Sequence, residues 1–247
     1  MSKRPRRFAP LKDGDVEDSG APKLAGIVFD VDGTLCEPQN YMFAEMREAL
    51  GITKPTDILD HIYALPAAKQ EDAMESIRKI ERTAMTSQKP QPGLVTLMTY
   101  LTTKNMKMGI CTRNFDMPVN HLLEKFLPEH KFHPIITREF RPPKPSPAGI
   151  LHIAKQWDLA SAENLIMVGD SIDDMAAGRA AGSATVLLVN DVNAHLADHE
   201  NTDFVIRQLD DLIEVLDRGF FSRSNFMENK IWKSTSKEDK KAVLDLL

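Results

Sequence analysis

Residues 29–35 read FDVDGTL, and this short stretch decides the fold class. It continues an apolar run and then presents two carboxylates, Asp30 and Asp32, separated by one residue. Gly33 follows at once, and a glycine lets the backbone turn sharply where a strand ends. Open parallel sheets place their ligands at the carboxyl ends of their strands. The pattern therefore predicts a buried strand that delivers two carboxylates to a site.

Short runs rich in β-branched and aliphatic residues predict the rest of the sheet. Together with the first, these runs are residues 25–30, 107–112, 164–170, 184–190 and 203–207. A further extended piece at 133–137 leads into a loop at 141–147, whose four prolines exclude a helix until after Ser146. Helix-like patterns separate the runs, which is typical of a parallel sheet with helical crossovers. The predicted fold class is α/β.

The interval between the first two strands is too long for one crossover helix. Residues 37–91 contain helical patterns and no strand pattern. The helical patterns lie at 40–50, 56–63 and 67–87. We interpret this interval as a small all-helical domain inserted into a core that residues 23–36 and 92–218 form.

The two ends of the chain carry weaker signals. Residues 1–22 combine a basic cluster with an acidic segment and offer almost nothing to bury, which predicts a flexible tail. We expect a cytoplasmic protein, and the basic cluster is compatible with an additional nuclear location. Residues 219–247 are polar until a short amphipathic stretch and form a C-terminal extension of undetermined role.

Composition limits the partners of the protein. Of its 247 residues 42% are hydrophobic, enough for a full core, and no apolar run is long enough to cross a bilayer. The net charge of −5 provides no positive field for nucleic acid or a membrane surface. Cys36 and Cys111 are too few for a disulfide framework, which favours a reducing compartment. Local groups must therefore hold any small charged substrate. The sequence does not determine the oligomeric state.

The carboxylate that ends the first strand is a candidate nucleophile. A carboxylate attacks a phosphate dianion only when positive charge screens the repulsion, so Asp30 needs a cation nearby. Asp32 is the candidate to donate a proton to the leaving group and then to take one from water. The hydroxyl of Thr112, at the end of the second strand, can bind a phosphate oxygen. Lys144 is held between prolines and can neutralise the phosphoryl oxygens.

Residues 168–174 read VGDSIDD and place three carboxylates within five positions. Such clustering is unfavourable unless a cation lies among the carboxylates, and oxygen ligands suit Mg²⁺. Asp170 is best placed to bind the metal directly, with Asp174 or Asp173 orienting a ligand water. For Asp173 the simpler interpretation is that it stabilises the N-terminus of the following helix.

These four stretches, in this order, resemble the haloacid dehalogenase superfamily of phosphohydrolases, specifically its phosphoglycolate phosphatase-like and β-phosphoglucomutase-like branch. The resemblance covers about residues 24 to 215. The matching residues are Asp30, Asp32, Gly33 and Thr34 in the first motif, Thr112 in the second, Lys144 in the third, and Gly169, Asp170 and Asp174 in the fourth.

The resemblance implies a Rossmann-like core with strand order 3-2-1-4-5 and a small helical cap that closes over the site. It implies a covalent phospho-aspartate and a Mg²⁺ ion held by the Asp30 carboxylate, the Asp32 backbone carbonyl and Asp170, with Asp174 nearby. The expected function is a Mg²⁺-dependent phosphatase that hydrolyses a small phosphorylated metabolite.

Candidates for substrate binding lie in the core loops and at the start of the cap. In the core they are Gly33, Thr34, Thr112, Arg113, Asn114 and Lys144. In the cap they are Tyr41, Met42, Glu45 and Met46, for which packing inside the cap is an equal alternative. For Arg138 and Arg141 we expect solvation rather than substrate contact.

Several alternatives share parts of this pattern. The dehalogenase branch lacks the second aspartate, so Asp32 argues against dehalogenation. A phosphomutase of the same fold stays compatible, because it differs mainly in passing the phosphate to a sugar. A phospho-accepting signalling module carries its acidic pair on the first strand and its acceptor on the third, the reverse of the order here. A phosphate-binding interaction protein without turnover is a further alternative.

Overall fold

The computed structural model describes residues 7–11 and 21–220, which form a six-stranded parallel sheet in the order β3-β2-β1-β4-β5-β6. The strands are β1 (Gly26–Phe29), β2 (Lys107–Cys111), β3 (Ile135–Ile136), β4 (Leu165–Gly169), β5 (Ala184–Leu188) and β6 (Phe204–Ile206). The predicted α/β class and central order 3-2-1-4-5 are confirmed, and β6 extends the sheet beyond β5.

Helices cover both faces of the sheet, which explains why its central strands are apolar throughout. Every residue of β1, β4 and β5 is buried. Side chains alternate along β1, so that Ile27 and Phe29 join the core on one face and Val28 joins the core on the other. The first face is covered by α4 (Leu94–Thr103), α5 (Asp116–Phe126) and α8 (Asp211–Arg218). The second is covered by α6 (Ala148–Gln156) and α7 (Ile172–Ala181).

The insertion folds as a cap of three helices with its own small core. These helices are α1 (Asn40–Leu50), α2 (Ile58–Ala64) and α3 (Ala67–Thr86). Met42 and Met46 are buried in the cap core, so packing inside the cap is the interpretation that holds for them. Glu45 is exposed, and Tyr41 is 49% exposed with its hydroxyl near Ser87 Oγ.

The chain enters and leaves the cap at one point. Glu37 N donates to Lys89 O at 2.9 Å, and Cys36 forms an isolated bridge with Pro90. Within residues 7–11 and 21–220, no helix is both long and apolar enough to cross a membrane.

The N-terminal segment packs on the core, which corrects the expected flexible tail at residues 7–11. Phe8 is 1% exposed, and its ring lies 5.7 Å from that of Phe220. Arg7 N donates to Phe220 O at 2.7 Å, so the two ends of the described region pair with each other. The burial of these aromatic rings was missed because one phenylalanine in a charged stretch has no periodicity. The basic cluster before residue 7 and the extension after residue 220 lie outside the described residues.

Candidate active site

The predicted site residues meet at one edge of the sheet. Asp30 follows β1, Thr112 follows β2 and Asp170 follows β4, and these three strands are neighbours. Because the strands are parallel, their carboxyl ends share an edge, and the side chains that follow them come together. The proline loop before α6 adds Lys144 from the same side.

A buried lysine links two of the carboxylates. Lys144 Nζ donates to Asp30 Oδ1 at 2.7 Å and also to Asp174 Oδ1. All three side chains are buried. Burial by itself would lower the pKa of Lys144, but the charges of Asp174 and Asp30 outweigh burial and raise that pKa. Lys144 therefore stays cationic and supplies positive charge beside the candidate nucleophile.

Three carboxylates crowd around this lysine and create a site that suits a divalent cation. Oxygen atoms of Asp30, Asp170 and Asp174 lie within 4.8 Å of one another. Burial, opposed by Lys144 and reinforced by Asp174, raises the pKa of Asp30 to about 7. Burial and then the charges of Asp174 and Asp30 raise the pKa of Asp170 to about 8. One lysine does not balance this negative charge, and a hard cation with oxygen ligands fits the donor set.

Gly33 allows Asp170 to approach the turn after β1. The φ angle of Gly33 is 78°, in the left-handed region, and a Cβ at this position would overlap the Asp170 carboxylate. The glycine of the FDVDGTL stretch is thus required both for the turn and for the space that Asp170 occupies.

Two asparagines that sequence reasoning missed contact Asp170. Asn193 Nδ2 donates to Asp170 O at 2.7 Å and to Leu188 O at 3.0 Å, tying the ends of β4 and β5 together. Asn190 Nδ2 lies 3.5 Å from Asp170 Oδ2. The available signal was a pair of asparagines, three positions apart, after a predicted strand. Asparagine commonly bonds nearby backbone groups in turns, so the pair indicated an ordered turn at this edge of the sheet.

Asp174 is fixed by the start of α7. Its Oδ2 accepts hydrogen bonds from Ser171 N at 3.0 Å and Ser171 Oγ at 2.6 Å, and its backbone N donates to Ser171 Oγ. This capping box holds one carboxylate oxygen and leaves Oδ1 to Lys144.

Asp32 has features that suit a proton donor. Burial raises the pKa of Asp32, although a hydrogen bond from Asn114 and another from Cys36 oppose the shift. Cys36 Sγ donates to Asp32 Oδ1 at 3.6 Å. Asp32 Oδ2 and Thr34 Oγ1 are buried and have no hydrogen-bond partner among residues 7–11 and 21–220. Asp32 Oδ2 is therefore available to form a hydrogen bond with a bound ligand.

Thr112 and Asn114 both lie buried in the loop after β2. Asn114 N donates to Thr112 Oγ1 at 3.3 Å, and Thr112 N donates to Ile136 O at 2.9 Å. The loop thus brings a hydroxyl and an amide to the same edge as the carboxylates.

Arg113 is placed between cap and core. Its guanidinium contacts both oxygens of Asp57, which caps α2, at 2.7 and 2.6 Å. It also donates to Asp173 Oδ2 at 2.7 Å. Asp173 therefore has an ion-pair partner in addition to its place in the first turn of α7. Arg113 thus links the cap to the core through ion pairs, and its contact with substrate stays a prediction.

Arg138 and Arg141 also reach the cap. The expectation that Arg138 is solvated is wrong: it is 6% exposed and forms an ion pair with Glu81, which is 3% exposed. Arg138 Nε further donates to Arg113 O at 3.0 Å. Arg141 is exposed, and its guanidinium lies 3.2 Å from the ring centroid of Tyr63.

Glu81 was not predicted as a site residue. Burial raises the pKa of Glu81 to about 7 against the effect of Arg138, and the charge of Asp32 adds to the rise. The available signal was its place on the buried stripe of α3, four residues after Ile77 and three before Ala84. A carboxylate on such a stripe needs a partner from another element.

A buried acidic site between a Rossmann-like sheet and a helical cap defines a capped α/β hydrolase. The sequence description of the haloacid dehalogenase-like hydrolases matches residues 24–182, and the chain belongs to that family.

Relatives of the chain carry consistent names. An uncharacterized hydrolase of Saccharomyces cerevisiae is 46% identical over 203 residues, covering 80% of this chain and 93% of its own. A haloacid dehalogenase-like hydrolase domain-containing protein of Arabidopsis thaliana is 38% identical over 177 residues, covering 67% of this chain and 71% of its own. The crystal structure of a predicted phosphoglycolate phosphatase from Haemophilus somnus has a TM-score of 0.61 at 17% identity, covering 78% and 97% of the two chains. The first two support the family, and the third shows the shared fold.

Proposed function

We propose that the protein is a Mg²⁺-dependent phosphatase that hydrolyses a small phosphomonoester through a phosphorylated Asp30. The observation that carries this proposal is the cluster of Asp30, Asp170 and Asp174 around Lys144. Such a cluster combines a nucleophile, a cation to screen its attack and donors for a second cation.

The metal would be held by the carboxylates of Asp30 and Asp170 and by the backbone carbonyl of Asp32. When bound, Mg²⁺ supplies positive charge that offsets the repulsion between a carboxylate and a phosphate dianion. Asp174 acts mainly on Lys144, because one of its oxygens is taken by Ser171 and the other by the lysine. The thiol of Cys36 and the amide of Asn114 orient Asp32 toward the leaving group.

The reaction has two halves. In the first, a carboxylate oxygen of Asp30 attacks phosphorus, the bond from phosphorus to the ester oxygen breaks, and Asp32 gives its proton to the departing alkoxide. In the second, Asp32 takes a proton from water as the water oxygen attacks phosphorus. The bond from phosphorus to Asp30 then breaks, which releases inorganic phosphate and restores both aspartates. Lys144 and Thr112 hold the phosphoryl oxygens throughout.

Release of phosphate from p-nitrophenyl phosphate and from a panel of phosphorylated metabolites tests the proposal. We expect turnover with Mg²⁺, loss of turnover with a chelator, and a fall of at least about 10³-fold in kcat for Asp30→Asn. Asp72→Asn, an exposed aspartate of α3, is the matched control. Full activity of Asp30→Asn would reject the nucleophile assignment. Transfer of phosphate to a sugar in place of water would favour the phosphomutase, and no turnover on any ester would favour a binding protein.

A further inference from the structure

Two cationic side chains between cap and core, Arg113 and Arg138, are already balanced by protein carboxylates. Arg113 is paired with Asp57 and Asp173, and Arg138 is paired with Glu81. Three carboxylates thus face two guanidinium groups at this boundary. A substrate carboxylate that enters here meets no excess of positive charge from these two arginines, and it has to displace an existing partner to gain one.

Within the described part of the chain, one carboxylate oxygen of Glu81 has no hydrogen-bond partner. Its Oε1 accepts from Arg138, whereas its Oε2 is buried and has no hydrogen-bond partner within residues 7–11 and 21–220. A buried acceptor without a donor lowers stability, and more so if it is charged. Such an atom is expected to bond to a donor that arrives with a ligand.

This oxygen belongs to the surroundings of the proposed acid. Arg138, the ion-pair partner of Glu81, is bonded to the loop after β2. Its backbone N donates to Asn114 O at 2.8 Å and its Nε donates to Arg113 O at 3.0 Å. Glu81 therefore lies beside this loop, and the charge of Asp32 adds to the rise in its pKa. Asp32 Oδ2 and Thr34 Oγ1 are also buried oxygens without a partner in the described part of the chain. A protonated Asp32 needs an acceptor, which the ester oxygen of a leaving group provides, and Glu81 needs a donor from the same leaving group.

We propose that Glu81 recognises a hydroxyl group of the leaving alcohol, so that the substrates are phosphate esters of polyols or sugars and not of hydroxy acids. This inference rests on the proposed phosphatase function. Glu81 Oε2 accepts a hydrogen bond from a hydroxyl that lies near the ester oxygen. A carboxylate in the same place would face Glu81 directly and be repelled.

Three short esters of nearly equal size isolate this contact. They are 2-hydroxyethyl phosphate, which carries the hydroxyl; ethyl phosphate, which lacks it; and 2-phosphoglycolate, which carries a carboxylate in its place. We expect kcat/KM for 2-hydroxyethyl phosphate to exceed that for ethyl phosphate by roughly tenfold or more, because a hydrogen bond to a charged group is lost. Phosphoglycolate is expected to be the poorest substrate.

The variant Glu81→Gln gives a second readout that a structural role would not produce. The amide removes the repulsion and leaves Arg138 without its carboxylate, so kcat/KM for phosphoglycolate relative to 2-hydroxyethyl phosphate is expected to rise at least about tenfold. A loss of folding alone would lower the rates for all three esters in proportion. Glu71→Gln, an exposed glutamate on the same helix, should leave the ratio unchanged.

The outcomes distinguish this inference from the proposed function. If the wild-type protein hydrolyses p-nitrophenyl phosphate but treats the three esters alike, turns over none of them, or prefers phosphoglycolate, recognition by Glu81 is rejected and the phosphatase stands. If no phosphate ester is hydrolysed with Mg²⁺ present, both fall together. If Glu81→Gln does not fold, the wild-type order of the three esters decides.

Discussion

Lys144 Nζ lies 2.7 Å from Asp30 Oδ1 and also bonds to Asp174, so one buried ammonium group joins the proposed nucleophile to the start of α7. Replacing it with methionine keeps an unbranched side chain that is one atom shorter and removes the charge. Lys144→Met is expected to lower kcat by at least about 10²-fold, since positive charge near the phosphoryl group is lost.

The same substitution should also affect stability. Removing one partner of a buried ion pair costs about 3–5 kcal/mol, because the remaining charge is left without compensation. Urea denaturation at pH 7 measures the loss, and Lys155→Met at an exposed position of α6 is the control. Equal stability of Lys144→Met and the control would contradict this account of the cluster.

Binding of Mg²⁺ should strengthen as the pH rises. The pKa of Asp30 is about 7 and that of Asp170 about 8, so both carboxyls hold protons in the acid range that a metal must displace. We expect affinity for Mg²⁺ to increase between pH 6 and about pH 9, with protons released on binding. Calorimetry in buffers of different ionisation enthalpy measures that release. Binding that is independent of pH would contradict the crowded-carboxylate description.

In the absence of metal, the stability of the fold should decrease as the pH rises, whereas the affinity for Mg²⁺ increases. The pKa values of Asp30 and Asp170 are raised above the ordinary value of 3.8, so the folded state binds more protons than the unfolded state above that pH. The free energy of unfolding is therefore expected to fall as the pH rises from about 4 to about 8. Denaturation with and without Mg²⁺ across this range checks it, and a metal-free protein that gains stability there would disagree.

Gly33→Ala and Gly51→Ala separate backbone strain from crowding. Both glycines have positive φ angles, 78° and 66°, but a Cβ at Gly33 would overlap Asp170, whereas nothing lies within 4 Å at Gly51. Each variant should lose about 1 kcal/mol of stability through the backbone. Only Gly33→Ala should also lose Mg²⁺ binding and at least about 10²-fold in kcat. Comparable activity of the two variants would mean that Asp170 can move at no cost.

Arg113 is expected to hold helix α2 of the cap against the core. Arg113→Gln removes the ion pairs to Asp57 and Asp173, which are partly exposed and contribute about 1 kcal/mol or less each. Hydrogen exchange in α2 should become faster and KM should rise, with little change in global stability. Arg78→Gln, which loses only pairs within α3, is the control. Unchanged exchange in α2 would show that other contacts hold the cap.

Phe8 precedes residues 24–182, which match the family, and it is expected to stabilise the core. Phe8→Ala should lower the free energy of unfolding by about 3–5 kcal/mol, because it removes a fully buried ring that packs on Phe220. Phe43→Ala in the cap, at a ring that is 38% exposed, should cost much less. Equal losses would mean that the N-terminal segment detaches in solution.

The sequence predicted those parts of the molecule that depend on local pattern. The helix at Asn40–Leu50 has the predicted bounds, and Ala67–Thr86 differs by one residue, because periodicity and flanking residues define a helix within its own length. The carboxylates of Asp30 and Asp170 were found because each directly follows a buried apolar strand.

Contacts between distant segments were missed, because a local pattern carries no information about a partner far along the chain. Glu81 and Arg138 are 57 positions apart, and each by itself reads as an ordinary charged surface residue. Arg113 lies beside a predicted phosphate-binding residue, yet its partner Asp57 is 56 positions away in another domain. No local pattern states which of two nearby anions, protein or substrate, an arginine will meet.

The neck of the cap, where Glu37 N donates to Lys89 O, makes the cap an exchangeable module. Because entry and exit are adjacent, an insert of another size can replace the three helices without altering the spacing of β1 and β2. A change of cap can therefore alter what reaches the site while the core that carries Asp30, Lys144 and Asp170 stays the same. The neck also begins at Cys36, whose thiol donates to Asp32, so an exchanged cap would still be joined to the core beside the proposed proton donor.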